Sequence, residues 1–262
     1  MRADVFLYSR GFAKSRTHAS ELIKNGVLVC GKKITKPSTD IPESTPDEDI
    51  IITTPSKYVS RGGLKLEAAL AVFNLNVNEV TALDVGASTG GFTDCLLKHG
   101  AKKVYAVDVG HGQLDASLVK DSRVVNLEGI NARSMTADMI GRGEFALAVS
   151  DVSFISQSLI YDAVCSLLSE KGIFVSLIKP QFECGKQSLA SGGICKDKKV
   201  HIKVISELFE CSKKAGLFPT ALTRSPITGG DGNTEYLVCF IKNGEQKVFE
   251  ENIKSCVMEG QQ

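Results

Sequence analysis

An α/β fold, a doubly wound sheet preceded by a small basic segment, is what the 262-residue sequence predicts. Three observations carry this. Beyond Val80, short apolar runs alternate with helical stretches, the pattern of a parallel sheet covered on both faces. The first of those runs leads directly into a glycine-rich turn, LDVGASTGGF. Charge is also unevenly spread: residues 1–36 carry eight basic side chains against Asp4 and Glu21, a local charge of +6 in a chain whose net charge is +1.

In chain order, residues 14–24 read as a helix with Ala13, Ala19, Leu22 and Ile23 facing inward. Lys14, Arg16 and Lys24 are left on its outer side, a solvated face by default and a phosphate grip if RNA is the partner. The stretch PSTDIPESTPDEDI is acidic and holds three of the seven prolines, so it reads as a loop or edge. A boundary is placed near residues 55–60. Next, KYVSRGGLKLEAALAVF is basic at first and apolar at helical spacing afterwards, with Lys65 at the start of the helix. The strands beyond it are TALDVG, KKVYAVDV, RVVNL, FALAVSD, IFVSLIK and EYLVCFI, with helices over residues 91–99, 156–168 and 199–215.

Composition excludes several classes. At 43% hydrophobic and 23% charged, the chain is ordinary globular material, neither disordered nor a disulfide miniprotein. A net charge of +1 argues by itself against a uniformly basic nucleic-acid binder, but it sums unlike parts. No two of the eight cysteines form a CxxC pair and no histidine sits beside them at ligand spacing, so no zinc site is expected. Free thiols in a reducing cytoplasm are the natural assignment. The opening MRADVFLYSR lacks the apolar core of a secretion signal, and no apolar run reaches the roughly 20 residues that span a bilayer.

The chemistry-bearing residues lie at strand ends, where doubly wound sheets bind ligands. Asp84 closes the first apolar run, Gly86 permits a tight turn, and Gly90 and Gly91 open the next helix. The turn is neither a phosphate loop with GKS/T nor GxGxxG. Asp108 ends the second strand, a position suited to holding a ribose diol, so an adenosine-bearing cofactor is expected rather than an empty turn. Asp151 ends FALAVSD, and Lys179 ends IFVSLIK just before Pro180. A lysine closing a buried strand is unusual without a partner. If those two strands are neighbours, Asp151 and Lys179 sit side by side. Glu235 opens the last strand after a glycine-rich loop. Each has a plain alternative: Lys65 as a solvated lysine, Glu235 paired with Arg224, Asp151 as a cap, or Asp151 and Lys179 as a structural pair.

In combination these segments closely resemble the TlyA family, FtsJ-like ribosomal RNA 2′-O-methyltransferases with an added N-terminal RNA-binding domain. The resemblance rests on KYVSRGGLKLEAAL, LDVGASTGGFTDCLL, VYAVDVGHGQL, SDVSFIS, IKPQFECGK and GNTEYL. KSRTHASELIKNGVLVCGKKITKPS is similar to the alpha-L, or S-four, RNA-binding domain. The resemblance implies a Rossmann-like methyltransferase sheet over residues 59–262 behind a small α+β RNA-binding domain over residues 1–58. It implies S-adenosylmethionine as cofactor, lying over Asp84, Gly86, Ala87, Ser88, Thr89, Gly90, Gly91 and Phe92, with its ribose near Asp108 and its adenine near Asn131; Asp151 also borders it. It implies a Lys65, Asp151, Lys179 and Glu235 tetrad, and ribosomal RNA as partner, a cytidine ribose being the target. RNA would be gripped by Arg2, Arg10, Lys14, Arg16, Lys24, Lys32, Lys33 and Arg61.

A ribose hydroxyl is a poor nucleophile at neutral pH, so Lys179 is assigned as general base, oriented by Asp151, with Glu235 holding Lys65 or the ribose. Three other classes compete: a membrane-active haemolysin, a non-catalytic RNA-binding factor, and a methyltransferase of proteins or small molecules. The intact tetrad and the basic N-terminal segment favour RNA methylation.

Overall fold

The computed structural model describes residues 1–53 and 57–259. It divides into two compact units, Met1–Ser60 and Arg61–Gln262. Residues 54–56, within the boundary placed near 55–60, lie outside the described residues.

The first unit packs α1 (Ala3–Ser9) and α2 (Arg16–Gly26) on a three-stranded antiparallel sheet of β1 (Val27–Val29), β2 (Lys32–Ile34) and β3 (Ile50–Ile52), in the order β2-β1-β3. Ser15 caps α2, its hydroxyl accepting from the His18 N–H at 3.1 Å. Ala19, Leu22 and Ile23 bury against Phe6, Leu7, Val27 and Ile34, so the helix turns its charged side outward. Asp4 is buried in this unit. Arg2 and Arg16 reach it at 2.9 and 2.8 Å, and chiefly the Arg2 hydrogen bond lowers its pKa to about 2.

The second unit opens with α3 (Gly62–Val72) and builds a seven-stranded sheet. Its strands are β4 (Thr81–Val85), β5 (Lys103–Asp108), β6 (Val124–Glu128), β7 (Phe145–Ser150), β8 (Leu168–Ile178), β9 (Leu217–Arg224) and β10 (Tyr236–Lys242), in the order β6-β5-β4-β7-β8-β10-β9. Helices α4 (Gly91–Lys98), α5 (Ala116–Val119), α6 (Ala137–Ile140), α7 (Tyr161–Leu167), α8 (Pro180–Glu183), α9 (Lys198–Lys214) and α10 (Glu250–Glu259) connect and follow them. The longest, α9, buries Val204, Ile205, Leu208 and Phe209 in the main core with Phe174 and Phe240.

Two features depart from the sequence expectation of an all-parallel sheet. β10 runs antiparallel to both β8 and β9, because it enters between them after a hairpin-like return from β9. β9 was not expected as a strand. Pro219 interrupts it, which an edge strand tolerates, and the ladder shifts register between Cys239 and Phe240 where Pro219 pairs.

Candidate active site

The turn from β4 to α4 is shaped by the backbone. Gly86 has φ +80°, and its N–H donates to the Val107 carbonyl at 2.8 Å. A Cβ there would meet Val152 Cγ1 at 3.0 Å. At Gly90 (φ +91°) a Cβ would lie 2.3 Å from Leu118 Cδ1, so only glycine fits. Ser88 also takes a left-handed conformation (φ 48°), and its N–H donates to Asp108 Oδ2 at 2.8 Å. Asp108 Oδ1 accepts from the Gly110 N–H at 2.8 Å. The end of β5 is thus fastened to the glycine turn through a carboxylate that keeps further lone pairs.

A cleft of about 600 Å³ opens over this turn at the carboxyl ends of β4, β5 and β7. Of the residues expected to hold a cofactor, Gly86, Ser88, Asp108, Asn131 and Asp151 line it. Asp84, Ala87, Gly90, Gly91 and Phe92 do not and are buried in or beside the turn; Thr89 is exposed and does not line the cleft either. The Ala87 N–H donates to Val107, Phe92 is buried, and Asp84 is fully buried with Oδ2 accepting from Thr93 Oγ1 at 2.7 Å. The sequence did not single out Gln113, Ile130, Val152, Ser153, Phe154 or Ile155 as lining residues. Two signals could have found some of them: SDVSFIS continues past Asp151, and VYAVDVGHGQL reaches Gln113. Phe154, also at positive φ (63°), stands 87% exposed beside Phe182, their ring centroids 4.9 Å apart.

Asp84 is electrostatically anomalous. Its Oδ1 is buried without a hydrogen-bond partner. Burial raises its pKa to about 7, and Asp151 and Asp108 add to the rise. Three carboxylates therefore converge under one cleft, a donor set that suits a cationic ligand.

The catalytic candidates form two ion pairs beside the cleft. β7 and β8 are parallel neighbours, so Asp151 and Lys179 emerge together. Lys179 Nζ lies 2.6 Å from Asp151 Oδ1 and donates to Ser153 Oγ at 2.6 Å. Pro180 starts α8 immediately after it, ending the strand and fixing where the ammonium emerges. The antiparallel register of β10 sets Tyr236 opposite Ile178, which brings Glu235 alongside the Lys179 end of β8. Lys65 Nζ, from α3, meets Glu235 Oε2 at 2.6 Å, and both side chains are buried. Gln181 Nε2, on α8 two residues after Lys179, donates to Glu235 Oε1 at 3.5 Å. Lys65 is not a solvated lysine. Glu235 takes Lys65, while Arg224 donates to Thr234 Oγ1 at 3.3 Å.

The residues expected to bind RNA are less uniform than their charge suggests. Lys14, Lys24, Lys32 and Lys33 are exposed on the first unit. Arg2 and Arg16 are committed to Asp4, and Arg10 to Asp47 at 3.1 Å and the Glu43 carbonyl at 2.7 Å. Arg61, in the second unit, donates to the Thr228 carbonyl.

A doubly wound sheet with one reversed strand and a glycine turn under a strand-end cleft define a Rossmann-like, ligand-binding fold, with buried lysine–carboxylate pairs at its strand ends. Comparison with known proteins narrows this. Residues 58–242 match the FtsJ-like methyltransferase family and residues 1–45 match the S4 domain. The chain belongs to the FtsJ-like methyltransferase family and carries an N-terminal S4 domain. It is 43% identical over 246 residues to hemolysin A of Brachyspira hyodysenteriae, covering 92% of this chain and 100% of that one. It is 40% identical over 240 residues to the 16S/23S rRNA (cytidine-2′-O)-methyltransferase TlyA of Mycobacterium tuberculosis, covering 90% and 88%. A solved structure from Streptococcus thermophilus described as a hemolysin superimposes with TM-score 0.80 at 39% identity, covering 99% of this chain and 94% of that one. No helix among the described residues is long and apolar enough to cross a membrane.

Proposed function

We propose that this chain transfers a methyl group from S-adenosylmethionine to the 2′-hydroxyl of a cytidine ribose in ribosomal RNA. The observation that carries this is the pair of buried ion pairs, Lys179 with Asp151, which lines the cleft, and Lys65 with Glu235 on the neighbouring strand. The curated TlyA relative supports it, its printed activity being rRNA (cytidine-2′-O)-methylation.

The residues fit the cofactor. S-adenosylmethionine, when bound, supplies an electrophilic methyl group on a sulfonium cation. Asp84, whose buried Oδ1 has no partner, supplies negative charge beneath the cleft when ionised, which burial defers to about pH 7. Asp108 retains lone pairs for a ribose diol, and Asn131 borders the cleft on the side assigned to adenine.

Lys179 would take the proton from the ribose hydroxyl as that oxygen bonds the methyl carbon and the carbon–sulfur bond breaks, leaving the sulfonium as a neutral thioether. A lysine does this only as the free amine; Lys179 is 7% exposed, with Nζ held 2.6 Å from both Asp151 Oδ1 and Ser153 Oγ. Asp151, 2.6 Å away, orients the amine and balances the ammonium produced. Glu235 fixes Lys65, and the pair positions the ribose. Exposed Phe154 at the cleft offers a face on which a base can stack. The exposed lysines of residues 1–58 hold RNA backbone and deliver it to residues 59–262; phosphate contacts of this kind position without specifying sequence.

The test is incubation of the purified protein with labelled S-adenosylmethionine and separated ribosomal subunits from a host lacking the modification, followed by mapping of 2′-O-methylribose. Label on a cytidine ribose is the expected result. No incorporation into either subunit overturns the proposal. Release of haemoglobin from erythrocytes by the purified protein would favour the alternative that the hemolysin names suggest.

A further inference from the structure

His201 lies on α9, far along the chain from the glycine turn, yet it is 3% exposed and engaged at both ring nitrogens. Nδ1 is 2.8 Å from the Tyr236 hydroxyl, and Nε2 is 3.0 Å from the Cys195 carbonyl oxygen. A carbonyl can only accept, so Nε2 carries the hydrogen. Burial disfavours the imidazolium and lowers the pKa. In the neutral ring Nδ1 is then an acceptor, and the Tyr236 O–H donates to it. One tautomer alone satisfies the site.

The chain of bonds continues beyond Cys195. Its N–H donates to Asn233 Oδ1 at 2.9 Å, and Asn233 Nδ2 donates to the Gly193 carbonyl at 3.2 Å. Asn233 and Tyr236 are both buried. They flank Glu235, two residues before it and one after. Both are therefore tied to the backbone of a single residue, Cys195: Asn233 directly to its N–H, Tyr236 through His201 to its carbonyl. The Glu235 carboxylate is used elsewhere, on Lys65 and Gln181.

We propose that His201 is a positioning residue for methyl transfer: with Tyr236, Cys195 and Asn233 it clamps the chain on both sides of Glu235 and so sets where Glu235 meets Lys65. This rests on the tetrad reading above. None of the four residues lines the cofactor cleft, so the clamp acts on turnover and leaves cofactor affinity alone.

Tyr236→Phe tests it in the full-length protein, because the ring stays in the core and only the O–H is lost. Three quantities are measured: S-adenosylmethionine affinity by calorimetry, the single-turnover rate on ribosomal subunits at saturating cofactor, and the melting temperature. The rate falls roughly tenfold to a hundredfold, the cost of a small misplacement, with cofactor affinity unchanged. His201→Asn, which keeps an acceptor near the Nδ1 position, retains more of the rate than His201→Leu. A Tyr236→Phe protein that melts lower but turns over at the wild-type rate per folded molecule overturns the proposal. If wild type itself transfers no methyl group, the functional reading has failed, and a crystal structure of Tyr236→Phe decides the clamp. Separation of Lys65 Nζ from Glu235 Oε2 beyond about 4 Å, the limit of an ion pair, supports it. The contact retained at 2.6 Å contradicts it.

Discussion

Two buried aspartates, one in each unit, are held in opposite ways. Asp4 is met by two arginine side chains whose charged ends reach solvent, and its pKa is lowered to about 2. Asp84 is met by one hydroxyl, its other oxygen has no partner, and its pKa is raised to about 7. The first carboxylate is satisfied by the protein and stabilises it. The second has one oxygen unmatched, and burial disfavours its charged form. A buried carboxyl that the fold leaves half-matched beneath a cleft is a functional-site candidate, whereas one matched by two arginines is scaffold.

The sharpest way to break this comparison is Asp84→Asn. Affinity for S-adenosylmethionine is expected to fall several-fold, the worth of a charge acting from beneath the cleft rather than in contact with the ligand, as read by calorimetry. Without cofactor the same variant melts higher than wild type at pH 8. The sign follows from the raised pKa: below about pH 4 the carboxyl is neutral folded and unfolded, and the cost of burying its charge accumulates up to about pH 7 and then stays constant. The melting difference should therefore shrink as the pH is lowered to 4. For wild type, cofactor affinity declines as pH falls through about 7, where Asp84 takes up a proton. A pH-independent affinity between pH 6 and 8 would remove Asp84 from the site.

Gly90→Ala comes next. Its Cβ would meet Leu118 Cδ1 at 2.3 Å in a left-handed conformation, so a loss of about 2–3 kcal/mol in denaturant unfolding is expected. Gly229→Ala is milder. There a Cβ would lie 2.7 Å from Glu235 Oε1, which should displace that carboxylate and lower turnover several-fold with cofactor affinity unchanged. The smallest effect is at Asp4. Asp4→Asn should cost the first unit about 1–2 kcal/mol at pH 7 without touching cofactor affinity. That contribution is present above about pH 4 and is lost as pH falls toward 2, the pattern of a lowered pKa.

What the sequence disclosed follows from what local pattern encodes. Strand ends are legible because a polar residue closing an apolar run stands out, as Asp108, Asp151 and Lys179 do; Glu235 shows instead at the opening of a strand, after a glycine-rich loop. The glycine turn is legible because Gly86 and Gly90 sit where a side chain cannot. The reversal of β10 is not, since strand direction depends on which neighbour a strand joins, and β9 was masked by Pro219. Partner choice is equally hidden. Glu235 takes Lys65, 170 positions away, rather than Arg224. Nor does composition show that Arg2 and Arg16 pair with the buried Asp4, while Lys24, Lys32 and Lys33 stand exposed.

The most direct measurement is single-turnover methyl transfer by Lys179→Ala on ribosomal subunits, with cofactor binding measured on the same protein. The account predicts a loss of about a thousandfold or more in rate while S-adenosylmethionine still binds, as removal of a general base requires. Near-normal turnover in that variant would contradict it.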